Sequence, residues 1–295
     1  MCIFEVDVEK RRRLPEWLKK RLPSNGESTR TAGLLKSLRL STVCQSAKCP
    51  NRGECFSRRV ATFMIMGETC TRDCRFCSVD SGVPLPLDPD EPSRVAQAAV
   101  ELGLRHVVIT SVTRDDLSDG GSEHFAETVR EVRELLPEAT VELLVPDFLG
   151  DEAAIWTVVQ AGPEIFNHNI ETVPRLYALV RPEADYKRSL NVLRTAKRLA
   201  PDMITKSGIM LGLGETDEEV VQVLCNIREA SCDMITIGQY LRPDKGNLPV
   251  KEFIAPEVFQ NYEEKALSMG FRSAYCGPFV RSSYNAGEFV KKAGK

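Results

Sequence analysis

Residues 61–77 read ATFMIMGETCTRDCRFC: an apolar, strand-like run, a short turn, then Cys70, Cys74 and Cys77 spaced C-x3-C-x2-C. A run of this kind ending in close-set thiols puts the chemistry at the C-terminal end of a strand, where parallel α/β architectures build their sites. The strand pattern then repeats without cysteines, at 105–110, 139–145, 164–168, 204–211 and 233–238. Between and after these runs lie helical patterns near 92–102, 122–136, 151–160, 186–199, 217–230 and 256–268. Pro92 marks one helix start, and Thr216 with Glu219 forms a capping box at another. Six βα units in succession predict a parallel sheet with right-handed crossovers. Six are too few for a closed eight-fold barrel and enough for an open, curved partial barrel. A doubly wound sheet would show the same alternation.

The flanks depart from this rhythm. Residues 1–60 hold a basic segment at 10–21 (KRRRLPEWLKKR), a helical pattern at 29–39, and a second group of thiols, Cys44, Cys49 and Cys55, in a stretch rich in Pro, Asn and Gly that reads as a loop. Residues 246–295 hold the last helix, a short strand pattern at 271–275 and the tail GPFVRSSYNAGEF. The domain reading is therefore an N-terminal extension (1–60), a catalytic unit (61–245) and a C-terminal extension (246–295).

The chain has 295 residues, ample for a large core, and ten cysteines, six of which fall between Cys44 and Cys77. Such clustering argues for metal ligation in a reducing compartment rather than a disulfide scaffold. A net charge of −3 gives no support to a nucleic-acid role. No run approaches membrane length and the N-terminus lacks a leader pattern, so the expectation is a cytoplasmic protein with neither membrane nor nucleic-acid partner. The basic segment, with Leu14, Trp17 and Leu18 on one face, reads first as a solvated helix and second as a docking site for an acidic partner, with Arg11, Arg12, Arg13, Lys19 and Lys20 as its cations.

Three thiolates with an aromatic at Phe76 match a [4Fe–4S] cluster with one open iron better than structural zinc, which closes its shell with a fourth protein ligand. C-x3-C-x2-C at the end of a first strand resembles the radical S-adenosylmethionine (SAM) superfamily. That resemblance implies that Cys70, Cys74 and Cys77 hold the cluster, and that SAM chelates the fourth iron and is split by one electron into methionine and a 5′-deoxyadenosyl radical. Residues 208–215, GIMLGLGE, resemble the superfamily's G-x-I-x-G-x-x-E stretch with Met210 in place of the usual isoleucine. Candidate SAM contacts at the other strand ends are Thr110, Ser111, Asp115, Asn169, Glu171 and Lys206. His106, His124 and His168 are assigned no catalytic role, although His168 adjoins these contacts.

The second triplet fits no simple zinc finger. Together with Arg281-Ser282-Ser283-Tyr284, and with the stretches TSVTRDDLSDGG, NHNIETVPRLY, VRPEADYKRSL and QYLRP, it resembles the lipoyl synthase family across most of residues 30–290. The resemblance implies a partial (β/α)6 TIM-like barrel with both extensions, and a second [4Fe–4S] cluster on Cys44, Cys49 and Cys55 completed by a serine oxygen. The family pattern carries that role to Ser283; spacing alone does not choose between Ser282 and Ser283. It further implies that this cluster is consumed as the sulfur source for C6 and C8 of an octanoyl chain on a carrier-protein lysine. It implies that two SAM molecules are spent; the expected electron donor is flavodoxin- or ferredoxin-like, and Arg281 is expected to contact a developing anionic sulfide or the substrate. An oxygen ligand matches iron less well than thiolate and can be released, which suits a cluster that comes apart.

Cys225 and Cys232 read as apolar filler, Cys2 as an exposed terminal thiol, and Cys276 as a neighbour of the serine motif outside both triplets. The rival readings are a biotin-synthase-like sulfur-inserting enzyme, which would share only the first triplet, and a non-catalytic cluster carrier, which would need no SAM site.

Overall fold

The computed structural model describes residues 14–20 and 26–288. Ten strands and ten α-helices alternate along them. The N-terminal part contains α1 (Glu27–Ser37), β1 (Ser41–Thr42), α2 (Val43–Ser46) and α3 (Arg52–Ser57). The βα series follows: β2 (Thr62–Ile65), β3 (Thr69–Cys70), β4 (Asp80–Ser81), α4 (Glu91–Leu102), β5 (His106–Ser111), α5 (Ser122–Leu135), β6 (Thr140–Leu144), α6 (Glu152–Gln160) and β7 (Ile165–Asn167). It continues with α7 (Tyr177–Val180), α8 (Tyr186–Leu199), β8 (Ile204–Leu211), α9 (Asp217–Glu229), β9 (Met234–Gln239), α10 (Pro256–Ser268) and β10 (Ser273–Gly277).

Eight strands form one sheet in the order β1-β2-β5-β6-β7-β8-β9-β10. From β2 to β10 every pairing is parallel, while β1 joins the edge antiparallel to β2. The order never reverses. Right-handed crossovers that always step the same way put every helix on one face, so the sheet winds singly, as in a barrel, and has no switch point of the doubly wound kind. The expected partial barrel therefore stands, extended by β10 at one edge and β1 at the other.

Side chains alternate along the strands, and the two faces separate cleanly. Phe63, Ile65, Val107, Ile109, Val141 and Leu143 point outward into one half of the core, against Val95, Phe125, Val129 and Ile155 of the helix layer. Ile209, Leu211, Ile235 and Ile237 do the same against Val220, Leu224, Phe259 and Tyr262. Met64, Thr110, Glu142, Leu144, Lys206, Gly208, Thr236 and Gly238 occupy the alternate, inward positions. Helix boundaries follow local chemistry. The Thr216–Glu219 capping box opens α9, Asp185 accepts from the Arg188 amide to open α8, and α4 closes on Gly103 at φ +69°.

Two local readings are corrected. The second thiol group is not a simple loop: Cys44 lies on α2 and Cys55 on α3, helices of four and six residues that are too short to show a helical period. Of the basic segment, Glu16–Leu18 forms only a 3-10 turn, with Leu18 buried while Leu14 and Trp17 are exposed, so these three do not share a face. Cys2, Arg11, Arg12 and Arg13 lie outside the described residues. Among those described, no helix is long and apolar enough to cross a membrane.

Beyond β10 the chain turns back into the barrel. Residues 280–287 cross the lumen from Gly238 on β9, past Gly208 on β8, to His106 on β5. An added Cβ would lie 2.2 Å from the Val280 carbonyl oxygen at Gly238, 2.9 Å from Ser282 Oγ at Gly208, and Gly287 itself rests on His106. The bare backbone of the strands lets the tail in.

Candidate active site

The C-x3-C-x2-C loop leaves β2 through Met66 and Gly67, both at positive φ. The Met66 amide donates to Glu91 Oε2 at 2.7 Å, and its carbonyl accepts from Arg114. The short parallel ribbon of β3 and β4 draws the two ends of the loop together. Arg72, inside the loop, is buried and forks onto Asp115 at 2.6 and 2.9 Å and onto Asp147 at 2.7 Å. Asp147 also takes Arg188 at 2.8 Å. The loop is thus clamped to the chain following β5 and β6 by the buried Arg72, bidentate at Asp115 and singly bonded to the fully buried Asp147. Main-chain amides of Arg72 and Thr113 point at Cys70 Sγ, at 3.4 and 3.3 Å, and that of Val79 at Cys77 Sγ, at 3.4 Å. Amide donors aimed at sulfur are a recognised means of tuning iron–sulfur clusters.

Burial pushes the Cys77 thiol up to about 12 and raises that of Cys74 as well, the latter against the pull of the Arg181 guanidinium. Cys70 adds to the rise at Cys74, and Cys74 and Cys70 add to that at Cys77. In the other triplet burial lifts Cys44 to about 11, and burial together with the thiols of Cys44 and Cys49 lifts Cys55 to about 12. Each triplet therefore converges in space. Among the described residues, however, no group of three or more His, Cys, Asp or Glu is arranged to hold a single metal ion.

Members of both triplets meet at one cavity of about 440 Å³. Cys44 and Cys49 line it together with Cys70, Cys74 and Cys77, while Cys55, outside the lining, lies close enough to Cys44 and Cys49 to feel their thiols. The tail adds to the lining through Arg281, Ser282 and Ser283. The two serines differ. Ser282 Oγ donates to Asn169 Oδ1 at 2.8 Å and its carbonyl accepts from Lys206 at 2.6 Å, whereas among the described residues no hydrogen bond engages the Ser283 hydroxyl. Burial pushes the Arg281 guanidinium down from its ordinary value, against the attraction of Cys49 and Glu171, so this cation lies near one thiol of the second triplet and near Glu171.

Thr110, Ser111, Asn169 and Glu171 also line the cavity. Thr110 donates to the Leu144 carbonyl, and Asn169 Nδ2 to Glu171 Oε1 at 3.0 Å. Glu171 sits at φ +69°, strained for a non-glycine residue, and is held there by main-chain bonds to Gly208 and Met210. Burial raises its carboxyl against the pull of Arg181. Two of the expected SAM contacts lie elsewhere. Asp115 is spent on Arg72, and Lys206 lies under the cavity, fully buried, paired with Glu142 at 2.8 Å and holding the Ser282 carbonyl.

Sequence reasoning missed Arg181, Arg72 and Glu142, whereas His168 lines the cavity beside the contacts it was read to adjoin. Arg181 is a buried cation beside Cys74, and its signal was an arginine in the apolar-to-turn stretch LVRP. Glu142 interrupts an apolar strand at an inward position, which marks a buried acid in need of a partner. Three buried polar atoms on the cavity wall, Ser111 Oγ, His168 Nε2 and Arg181 Nε, have no partner among the described residues. Unpaired buried donors and acceptors of this kind are costly unless a polar ligand meets them. The cavity therefore offers thiols that suit iron–sulfur ligation and, beside them, unpaired polar atoms that suit a polar small molecule.

Cys232 is buried with its thiol on the Met234 carbonyl, as expected of filler, and Cys225 is half-buried on α9. Cys276 lies on β10 and does not line the cavity.

Residues 64–224 match the radical SAM superfamily. The lipoyl synthase of Caldanaerobacter subterraneus subsp. tengcongensis is 60% identical over 274 residues, covering 93% of this chain and 96% of the relative. That of Caldicellulosiruptor saccharolyticus is 53% identical over 94% of this chain and 97% of its own. The lipoyl synthase of Geobacter sulfurreducens is 56% identical over 93% and 90%. Among solved structures, the FeFe-hydrogenase maturase HydG from Carboxydothermus hydrogenoformans superposes with a TM-score of 0.59 at 14% identity, covering 78% of this chain and 56% of that one. Methylornithine synthase (PylB) gives 0.53 at 20% identity, over 77% and 67%. At such identities these two structures speak for the fold alone.

Proposed function

Given that this chain belongs to the lipoyl synthase family of the radical SAM superfamily, we propose that it inserts two sulfur atoms, at C6 and C8, into an octanoyl chain carried on a lysine of a lipoyl-carrier domain. The observation that carries this reading is the opening of Cys70, Cys74 and Cys77, of Cys44 and Cys49 from the second triplet, and of the unengaged Ser283 hydroxyl onto a single cavity. Cys70, Cys74 and Cys77 would hold a [4Fe–4S] cluster and leave one iron for SAM. Cys44, Cys49, Cys55 and Ser283 would hold a second. When bound, the first supplies the electron that splits SAM, and the second supplies the sulfur.

The protein's own part is to bind, orient and manage protons. Buried thiols with raised pKa values are protonated in the metal-free chain and must release protons as iron enters, so cluster assembly is favoured by rising pH. Arg181 favours the thiolate at Cys74. Ser111, Asn169 and Glu171 offer a hydroxyl, an amide and a carboxylate to the polar groups of SAM, with Thr110 shaping the same wall. Asp115 acts at one remove, through Arg72, as a positioning residue for the first loop. Lys206 positions the serine segment from below. Arg281, near Cys49 and Glu171, would hold a positive charge beside the second cluster's thiols and the cofactor-binding carboxylate. Ser283, whose hydroxyl has no partner among the described residues, would hold the second cluster through an oxygen that matches iron less well than thiolate.

The test is turnover by anaerobically reconstituted protein with SAM, a flavodoxin- or ferredoxin-type reductant and an octanoylated carrier domain. Conversion of the carrier to its lipoyl form, with two deoxyadenosines formed per product, is expected. Sulfur insertion into free dethiobiotin in preference to the carrier, or cluster transfer without SAM cleavage, contradicts the reading.

A further inference from the structure

Outside the cavity, three distant segments converge on one ammonium. Lys20 Nζ lies 2.6 Å from Glu54 Oε2 and 2.6 Å from Asn51 Oδ1. It also sits over two aromatic faces, 5.0 Å from the ring centroid of Phe279 and 4.9 Å from that of Tyr284. The Tyr284 hydroxyl returns to the other oxygen of Glu54 at 3.0 Å. Asn51 gives independent support. It occupies the N-cap of α3, where its side chain would ordinarily bond the first turn, yet it makes no cap. It donates across the chain to the Phe279 carbonyl at 2.7 Å and is fully buried in doing so.

We propose that Lys20, Glu54 and Tyr284 form a latch that fastens the serine-bearing tail to the helix carrying Cys55 and thereby sets how long the serine oxygen is held at the second cluster. The latch rests on the assignment of Ser283 as a ligand. Glu54 immediately precedes Cys55 and Tyr284 immediately follows Ser283. A strap between these two residues spans the ends of the four-residue ligand set without touching it. The cation serves both sides at once, a carboxylate on the thiol side and two rings on the tail side, so losing it frees the tail from both. The side chains of Lys20 and Glu54 are only 26% and 23% exposed, so water screens the pair less than a surface ion pair, and an aromatic box is a favourable seat for a cation. Lys20 therefore does not serve as a free cation for docking. It is a positioning residue, and none of the latch side chains lines the cavity.

Hydrogen exchange of the metal-free chain reads the latch without any cluster. Lys20→Met is expected to speed exchange at residues 279–286 by about tenfold, the scale of one cation–π contact and one shielded ion pair, with β9 amides unchanged and Lys20→Arg restoring protection. A second readout is iron per protein in a Cys70→Ala background, where only the second cluster remains: Lys20→Met is expected to retain less than half of it and Lys20→Arg most of it. Unchanged exchange in Lys20→Met overturns the latch. So does full iron retention in Lys20→Met when Ser283→Ala loses its iron. Full retention in Ser283→Ala overturns the serine assignment instead, which separates the two failures.

Discussion

The Lys206 ammonium, on the inward face of β8, donates to the main-chain carbonyl of Ser282 at 2.6 Å while pairing with Glu142 at 2.8 Å, and both charged side chains are fully buried. An ion pair so placed yields little net stability, because each charge has given up its hydration. Its value is positional. The pair fixes the height of the tail in the lumen and leaves the next residue, Ser283, facing the cavity.

Lys206→Met should leave Glu142 with only His106 and the Asn167 amide as partners. Removing one member of a buried pair typically costs about 3–5 kcal/mol, whereas replacing both by apolar groups costs far less. Urea denaturation of the metal-free protein is expected to show Lys206→Met well below the Lys206→Met/Glu142→Leu double variant. A double variant less stable than the single one would contradict the account.

His168 carries a pH signature. Its Nδ1 donates to the Val145 carbonyl at 2.9 Å, and burial, followed by the nearby Arg181 cation, pushes its pKa down to about 4. The unfolded chain, with an ordinary histidine near 6.5, takes up the proton that the native state refuses, so the stabilisation is present above pH 6.5 and is lost as pH falls toward 4. Between pH 7 and pH 5 this amounts to about 2 kcal/mol. Denaturation curves at the two pH values should show wild type losing that much more than His168→Gln. Equal losses would place the titrating group elsewhere.

Gly238→Ala should displace the tail. The added carbon would lie 2.2 Å from the Val280 carbonyl oxygen, a main-chain atom that cannot swing aside as a side-chain end would. The expected outcome is a folded protein that keeps the iron of the first cluster and loses most of that of the second, measured as iron and acid-labile sulfide per chain. Full retention of both would show that the tail does not need this approach.

The barrel was legible because its signal is periodic: strands of alternating side chains at regular intervals, with helix starts marked by Pro92 and by Thr216 with Glu219. What escaped was whatever depends on partners far apart in sequence. Arg72 and Asp115 could each be noticed, but their pairing follows only from the chain after β5 folding over the first loop. Lys206 looked like a cofactor contact because it lies on a strand that ends at the site. The inward register showed it two residues too deep, one layer below Gly208. The helices of Cys44 and Cys55 are shorter than two turns and carry no periodic pattern. Spacing left Ser282 and Ser283 open and only the family pattern favoured Ser283; the hydrogen bond that engages Ser282 with Asn169 supports that choice and is not encoded in spacing.

The central claim is a division of labour between the two triplets, and the most direct measurement compares deoxyadenosine and sulfur insertion in Cys49→Ala and Cys70→Ala, each shown to be folded and reconstituted with iron. The account predicts that Cys70→Ala forms no deoxyadenosine, while Cys49→Ala still cleaves SAM and inserts no sulfur. A folded Cys49→Ala that had lost all SAM cleavage, or one that still delivered sulfur to the octanoyl chain, would contradict it.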